Sequence, residues 1–174
     1  VGFTLLPVPV SLDIRGWTEM HPLNGPAWSL FFEYIANILY AVLIRKFTSR
    51  WLAVLVFLAG CALIHQCYTQ GNNIGGWTLD VEQCRVGLTR LMFPFFGGLL
   101  LFRLCKPGRI RHGFWWCSLL LAAAMAMPHV GGAEYFHLNG LYDAFCIIII
   151  FPAVVFMGAS DIPGDISSRA SRFL

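Results

Sequence analysis

Residues 22–46 read PLNGPAWSLFFEYIANILYAVLIRK and contain the segment that decides the fold. Its apolar part, Ala27 to Ile44, would form a helix of roughly 27 Å at about 1.5 Å per residue. Because the hydrocarbon core of a bilayer is roughly 30 Å thick, this helix nearly spans it. One fully charged side chain, Glu33, lies inside the segment. A carboxylate at that depth costs a few kcal/mol in lipid, so we expect Glu33 to face the interior of a helix bundle.

The polar residues of this segment share one helix face. Ser29, Glu33 and Asn37 follow one another at intervals of four residues, and Tyr40 continues the same stripe. Side chains four residues apart lie one above the other on a helix. The spacing therefore predicts a polar face that lines the inside of the bundle.

The composition supports a membrane protein. Of the 174 residues, 57% are hydrophobic and 12% are charged, whereas about 25% are charged in a typical soluble domain. The mean hydropathy is +0.67. We therefore predict an all-α, polytopic transmembrane helix bundle whose main partner is the lipid bilayer, and we expect no nucleic-acid partner.

About five spanning helices are predicted in a single membrane domain covering residues 1–174. The apolar runs that define these helices are 27–44, 51–68, 86–104, 113–127 and 144–159. Two polar stretches, Thr69–Arg85 and Pro128–Asp143, are interpreted as loops because they contain turn residues such as Gly and Asn.

The basic residues indicate how the helices are oriented. Nine of the twelve Lys and Arg residues fall in alternate connections or after the fifth run: Arg45, Lys46, Arg50, Arg103, Lys106, Arg109, Arg111, Arg169 and Arg172. The positive-inside bias places these connections in the cytoplasm and the two polar loops outside it. The basic stretch from Arg103 to Arg111 would contact lipid headgroups, or alternatively a phosphate-bearing cytosolic donor.

Two opposite charges are embedded at similar depth on neighbouring predicted helices. These are Glu33 in the first run and Arg90 in the third. Because pairing would offset part of each desolvation cost, we expect both to face one cavity in the outer half of the membrane. Either a structural clamp or a functional cavity would explain such a pair. Pro94 favours a special site, since it cannot donate an amide hydrogen to the carbonyl of Arg90.

No metal site is predicted. Cys61 and His65 lie one helical turn apart, but Cys67 falls on a different face and no fourth ligand is evident. The histidines of the predicted outer segments, His21, His129 and His137, are expected to be solvated loop residues.

Several motifs resemble those of the membrane acyltransferase 3 family. Residues Asn24–Tyr34, followed by Tyr40, closely resemble its W-S-L-x-x-E signature. Residues Arg90–Leu99, with the basic loop after them, are similar to a later helix of the family. The fifth run, with Phe151-Pro152 and Gly158-Ala159, also fits, so the resemblance extends over nearly the whole chain.

The resemblance implies a multi-pass enzyme of the bacterial cytoplasmic (inner) membrane. Such an enzyme moves an acyl group, usually acetyl from acetyl-CoA, onto a carbohydrate hydroxyl outside the cytoplasm. The acyl-CoA is a substrate, and no bound cofactor is expected. Glu33 would have a supporting catalytic role, orienting a histidine base or binding the acceptor, while Trp28 and Ser29 would belong to the active-site region. With Asn37 and Arg90 they form our predicted substrate-binding set.

The resemblance also implies that this chain is an internal fragment. The catalytic histidine and the R-x-x-R pair of the family would lie on helices before Val1, and its closing helices would follow Leu174. The fragment is therefore expected to be inactive alone. The alternative from another functional class is a transporter or flippase in which Glu33 and Arg90 form an intramembrane coupling pair. A non-catalytic membrane scaffold is a third possibility.

Overall fold

The computed structural model describes residues 6–12, 14–42, 44–106 and 108–162. Within these residues the chain is a bundle of α-helices, which confirms the predicted all-α class. The helices are α1 (Ala27–Val42), α2 (Ser49–Gln70), α3 (Val81–Leu104), α4 (Gly113–Ala126), α5 (Phe136–Phe145) and α6 (Phe151–Ala159). Short 3-10 turns occupy Val10–Leu12, Ile44–Lys46 and Ala133–Tyr135.

In the part of the chain that the structure describes, three helical stretches are long and apolar enough to cross a membrane. They are Ser49–Gln70, Val81–Leu104 and Ala133–Ala159. The other two apolar helices are shorter, with 16 residues in α1 and 14 in α4. Helix α1 covers Ala27–Val42 of the predicted span 27–44, and a 3-10 turn, Ile44–Lys46, contains the first two basic residues that follow it.

The third helix begins five residues earlier than predicted, inside the stretch interpreted as a loop. The reason is a cap at Asp80, whose carboxylate accepts hydrogen bonds from the backbone N–H groups of Glu82 (2.9 Å) and Gln83 (3.1 Å). These groups have no partner within the helix, so a side-chain acceptor at this position stabilises the first turn.

Changing Asp80 to Ala is expected to destabilise the protein by about 1 kcal/mol, since both capping hydrogen bonds are lost. The measurement is the thermal unfolding temperature in detergent. Asp80→Asn retains an acceptor oxygen and is expected to keep most of the stability. Equal losses in the two variants would contradict the capping role.

The predicted loop 128–143 also contains helix. Its polar residues were read as loop signals, but they form hydrogen bonds across the end of the bundle. His137 Nδ1 donates to the carbonyl oxygen of Tyr68 (2.7 Å), and Asn139 bonds both backbone groups of Val130. Asp143 accepts from the backbone N–H of Asn73 (3.2 Å). A helix can carry polar residues where such partners exist.

A π-helical turn, Cys146–Ile150, connects α5 to α6. The backbone N–H of Phe151 donates to the carbonyl of Cys146, five residues earlier. Pro152 follows at once and has no N–H of its own to donate. The widened turn accommodates this missing donor within a continuous helical stretch.

The second helix forms the centre of the bundle, where it packs against α3 and α5. Its contact with α5 is very close: a Cβ added at Gly140 would overlap the carbonyl oxygen of Cys67. A buried apolar cluster surrounds this crossing and consists of Ala59, Leu63, Cys67, Phe93 and Ala144. These contacts fix the position of α3 relative to α5 and α6. The cleft described below is lined by α3 and α6, together with α1.

A small parallel strand pair joins the connection after α3 to the end of α6. Strand β1 (Ile110–Arg111) pairs with β2 (Asp161–Ile162). The buried Ser160 supports it, since its hydroxyl accepts from the N–H of Gly108 and its carbonyl accepts from that of Ile110.

Candidate functional site

A cleft of about 620 Å³ opens between α1, α3 and the helical stretch that includes α6. It extends along α3 from Gly87 to Leu101, roughly 21 Å at about 1.5 Å per residue. Its polar lining residues are Ser29, Glu33, Asn73 and Arg90. Its apolar lining residues include Leu91, Phe95, Leu101, Ile147, Phe151 and Val155. A volume of this size is typical of small-molecule sites.

Arg90 is held in the cleft by two contacts. Its Nη1 donates a hydrogen bond to the carbonyl oxygen of Gly75, in the loop between α2 and α3. Its guanidinium carbon lies 4.8 Å from the centre of the Trp28 ring. A cation over the face of a tryptophan is attracted by the ring's electron density. The Arg90 guanidinium is therefore oriented by α1 and by a loop as well as by its own helix.

Glu33 and Arg90 line the same cleft, as predicted, but they do not form the expected ion pair. Across the described residues, the ion pairs are Arg15–Glu19, Glu82–Arg85 and His129–Asp143. The contacts with Trp28 and Gly75 account for the difference, since they direct the Arg90 side chain to other partners. The Glu33 side chain is exposed.

The polar stripe on α1 is divided between two environments. Ser29 lines the cleft, and its hydroxyl donates to the carbonyl oxygen of Pro26 (3.0 Å). Asn37 is exposed and donates from Nδ2 to the carbonyl oxygen of Glu33 (2.8 Å). It is not among the residues that line the cleft. The structure thus brings together four of the five predicted site residues, namely Trp28, Ser29, Glu33 and Arg90.

Two glycines allow the cleft to form. A Cβ added at Gly87 would overlap the ring of Phe32, so the glycine lets α1 lie directly on α3. Gly76 has a φ of +101°, and a Cβ there would lie 2.8 Å from the Cα of Gly87. Only glycine tolerates this close approach in the left-handed region. The loop is further fixed by Gln83, which accepts from the N–H of Gly76 (2.7 Å).

A family model described as an acyltransferase domain matches residues 1–174. The chain belongs to the acyltransferase 3 family. This membership confirms the predicted resemblance, and the family is membrane-associated. Comparisons with curated proteins and with solved structures found no match.

Sequence reasoning missed several residues of this cleft. Asn73 belongs to the predicted outer loop, yet it lines the cleft, and its backbone N–H bonds to Asp143. Pro152 of the fifth predicted run is not among the predicted site residues, yet it also lines the cleft, two residues after the π-helical turn. Two signals pointed towards these positions: the polar loop between two apolar runs, and a proline inside an apolar run.

The predicted outer histidines are not among the residues that line the cleft. The expectation that His21 is solvated is wrong, because its side chain is buried near the ring of Phe31, with ring centres 6.1 Å apart. His129 is half exposed and lies 3.2 Å from a carboxylate oxygen of Asp143. His137 is exposed and stacks on Tyr68, with ring centres 4.3 Å apart. In the part of the chain that the structure describes, no group of three His, Cys, Asp or Glu side chains is placed to hold a metal ion.

Proposed function

We propose that this domain moves an acyl group, most simply acetyl, from acyl-CoA to a carbohydrate hydroxyl at the membrane. One observation carries the proposal: the Trp28, Ser29 and Glu33 side chains of the family-like motif line one cleft together with Arg90 of another helix. The match of the acyltransferase family model over residues 1–174 supports the reaction class.

In the proposed reaction, an acceptor hydroxyl attacks the carbonyl carbon of the thioester. A new ester C–O bond forms, the C–S bond breaks, and the thiol of CoA leaves. A base must take the proton of the hydroxyl, and the resemblance assigns that role to a histidine. Glu33 would orient that base or accept a hydrogen bond from the acceptor.

The shape of the cleft suits two substrates that meet from opposite sides. Its polar residues lie beside the first half of α3, whereas Gly98 and Leu101 continue it along the second half. Arg103 follows in the last turn of α3, and Lys106 lies in the loop after it. We propose that the acceptor binds at the polar end, outside the cytoplasm, and that the anionic donor enters from the basic end at the bacterial inner membrane.

The experiment is transfer of radiolabelled acetyl from acetyl-CoA to glycan in membranes that contain the full-length parent protein. We expect label in the glycan fraction, dependent on the protein and on an intact cleft. Membranes that accumulate a solute without acylating any glycan would support the transporter alternative and contradict the proposal.

Changing Trp28 to Leu is expected to lower kcat/KM for acyl transfer about tenfold. The reason is that a cation–π contact contributes about 1–2 kcal/mol when partly desolvated, and the Arg90 guanidinium would lose one of its two supports. Trp28→Phe keeps an aromatic face and is expected to keep more of the activity. The two variants would have equal activity if the ring contact had no role.

A further inference from the structure

The Arg90 side chain is fixed in position, yet it has no carboxylate partner among the residues that the structure describes. It is half-buried among the apolar lining residues of the cleft. Its Nη1 bonds the neutral carbonyl oxygen of Gly75, and the Trp28 ring covers one side of the guanidinium. Both contacts orient the charge without neutralising it.

The acidic residues at the start of α3 and near the end of α5 are engaged elsewhere. Glu82 pairs with Arg85 on the exposed face of α3, and Asp80 caps the same helix. Asp143 contacts His129 and the backbone of Asn73. Among the residues that the structure describes, Arg90 is the one basic residue lining the cleft. A partly desolvated cation without a counter-ion is costly, and an anionic ligand would remove that cost.

We infer that Arg90 binds an anionic group of the acceptor, a carboxylate or phosphate carried by the sugar that is acylated. This inference rests on the proposed acyl transfer to carbohydrate. The planar guanidinium carries five N–H donors in a fork that matches carboxylate and phosphate oxygens. Glu33 lines the same cleft and is the natural acceptor for a sugar hydroxyl. Glu33 and Arg90 together would select a sugar that carries both a hydroxyl and an acidic group.

A binding experiment tests this inference independently of enzyme activity. The full-length parent protein in detergent is heated with methyl glucuronoside, with neutral methyl glucoside, or with coenzyme A. We expect the glucuronoside to raise the unfolding temperature and the glucoside at the same concentration to have no effect. Arg90→Gln, which removes the positive charge and shortens the side chain, is expected to weaken glucuronoside binding about 10- to 100-fold, as loss of a hydrogen bond to a charged group does.

Arg85 provides the matched control. It lies on the same helix, is exposed and pairs with Glu82, so Arg85→Gln is expected to bind the glucuronoside like the wild type. If Arg90→Gln weakens coenzyme A binding instead, Arg90 binds an anion of the donor, and the assignment to the acceptor is overturned. Unchanged binding of all three ligands in Arg90→Gln would overturn the anion site itself.

Two further measurements test whether Arg90 binds an acidic acceptor, even if the Arg90→Gln variant is unstable. Equal effects of the two glycosides on the wild type would overturn the inference without any variant, even if Arg90→Gln failed to fold. In the transfer assay, Arg90→Gln is expected to lower the ratio of kcat/KM for acidic over neutral acceptors by about 10- to 100-fold. A merely structural role would lower both values alike and leave that ratio unchanged. Absence of any acyl transfer would contradict the proposed function, while the binding result would still report on Arg90.

Discussion

Replacing Glu33 with Gln is expected to lower acyl transfer by about 100-fold or more. The amide has nearly the same shape, but it is neutral and cannot take part in proton transfer or hold a cationic partner. Replacing a carboxylate that holds a histidine base in the right tautomer with its amide can cost up to about 10,000-fold in rate. The measurement is the rate of labelled acetyl transfer, at matched amounts of folded protein, in the full-length parent.

The control for this variant is Glu82→Gln. Glu82 lies in the first turn of α3, pairs with Arg85 and does not line the cleft, so its loss is expected to leave the transfer rate unchanged. A Glu33→Gln protein that keeps more than a tenth of the wild-type rate would contradict the proposed role. Equal losses in both variants would show a general effect of removing negative charge.

The structure also predicts the outcome of exchanging the two charges. Because Glu33 and Arg90 form no ion pair, a protein with both Glu33→Arg and Arg90→Glu is expected to remain inactive. Arg90→Glu would also place a carboxylate beside the carbonyl oxygen of Gly75 and the face of Trp28, both of which disfavour negative charge. Recovery of assembly and activity in the double variant would instead support a simple clamp.

Replacing Gly140 with Ala is expected to cause the largest loss of stability, about 3 kcal/mol. The added methyl group would overlap the backbone carbonyl of Cys67, and a backbone atom in the centre of the bundle cannot rotate away as a side chain can. Helices α2 and α5 would have to separate. The measurement is the free energy of unfolding, or the unfolding temperature, of the detergent-solubilised protein.

Gly98 supplies the matched control for that variant. It is a glycine inside α3, and a Cβ added there meets no other atom within 4 Å. Gly98→Ala is therefore expected to keep or slightly increase stability, by up to about 1 kcal/mol from helix propensity. If both substitutions changed stability equally, the close approach of α2 and α5 would not be what Gly140 provides.

The positions of the helices could be predicted from the apolar runs, but their ends could not. Hydropathy located α2 to within two residues at each end, because charged or polar residues flank its apolar run on both sides. It missed the first five residues of α3, a helix that Asp80 caps, and the first eight of α5, where Asp143 bonds a distant loop. Such polar residues lower the hydropathy of a run, so the sequence alone favours a loop where they occur. Their hydrogen-bond partners depend on the tertiary fold and are not visible in the sequence.

The charged residues of the cleft could be predicted from the sequence, whereas the partners of their side chains could not. A charge inside an apolar run must face protein or water, and this argument alone identified Glu33 and Arg90 as residues of one cavity. Which partner Arg90 takes depends on the path of the loop at Gly75 and Gly76, both with positive φ. Sequence spacing along helices gives no information about that path, so the contacts with Gly75 and Trp28 were not foreseen.

The most direct test of this account is an electron cryo-microscopy map of the full-length parent protein in a lipid nanodisc. The account predicts that the Glu33 carboxylate and the Arg90 guanidinium face the same cleft, unpaired with each other, with Trp28 against the guanidinium. A map in which the Glu33 carboxylate points towards lipid acyl chains, with no protein or water beside it, would contradict the account.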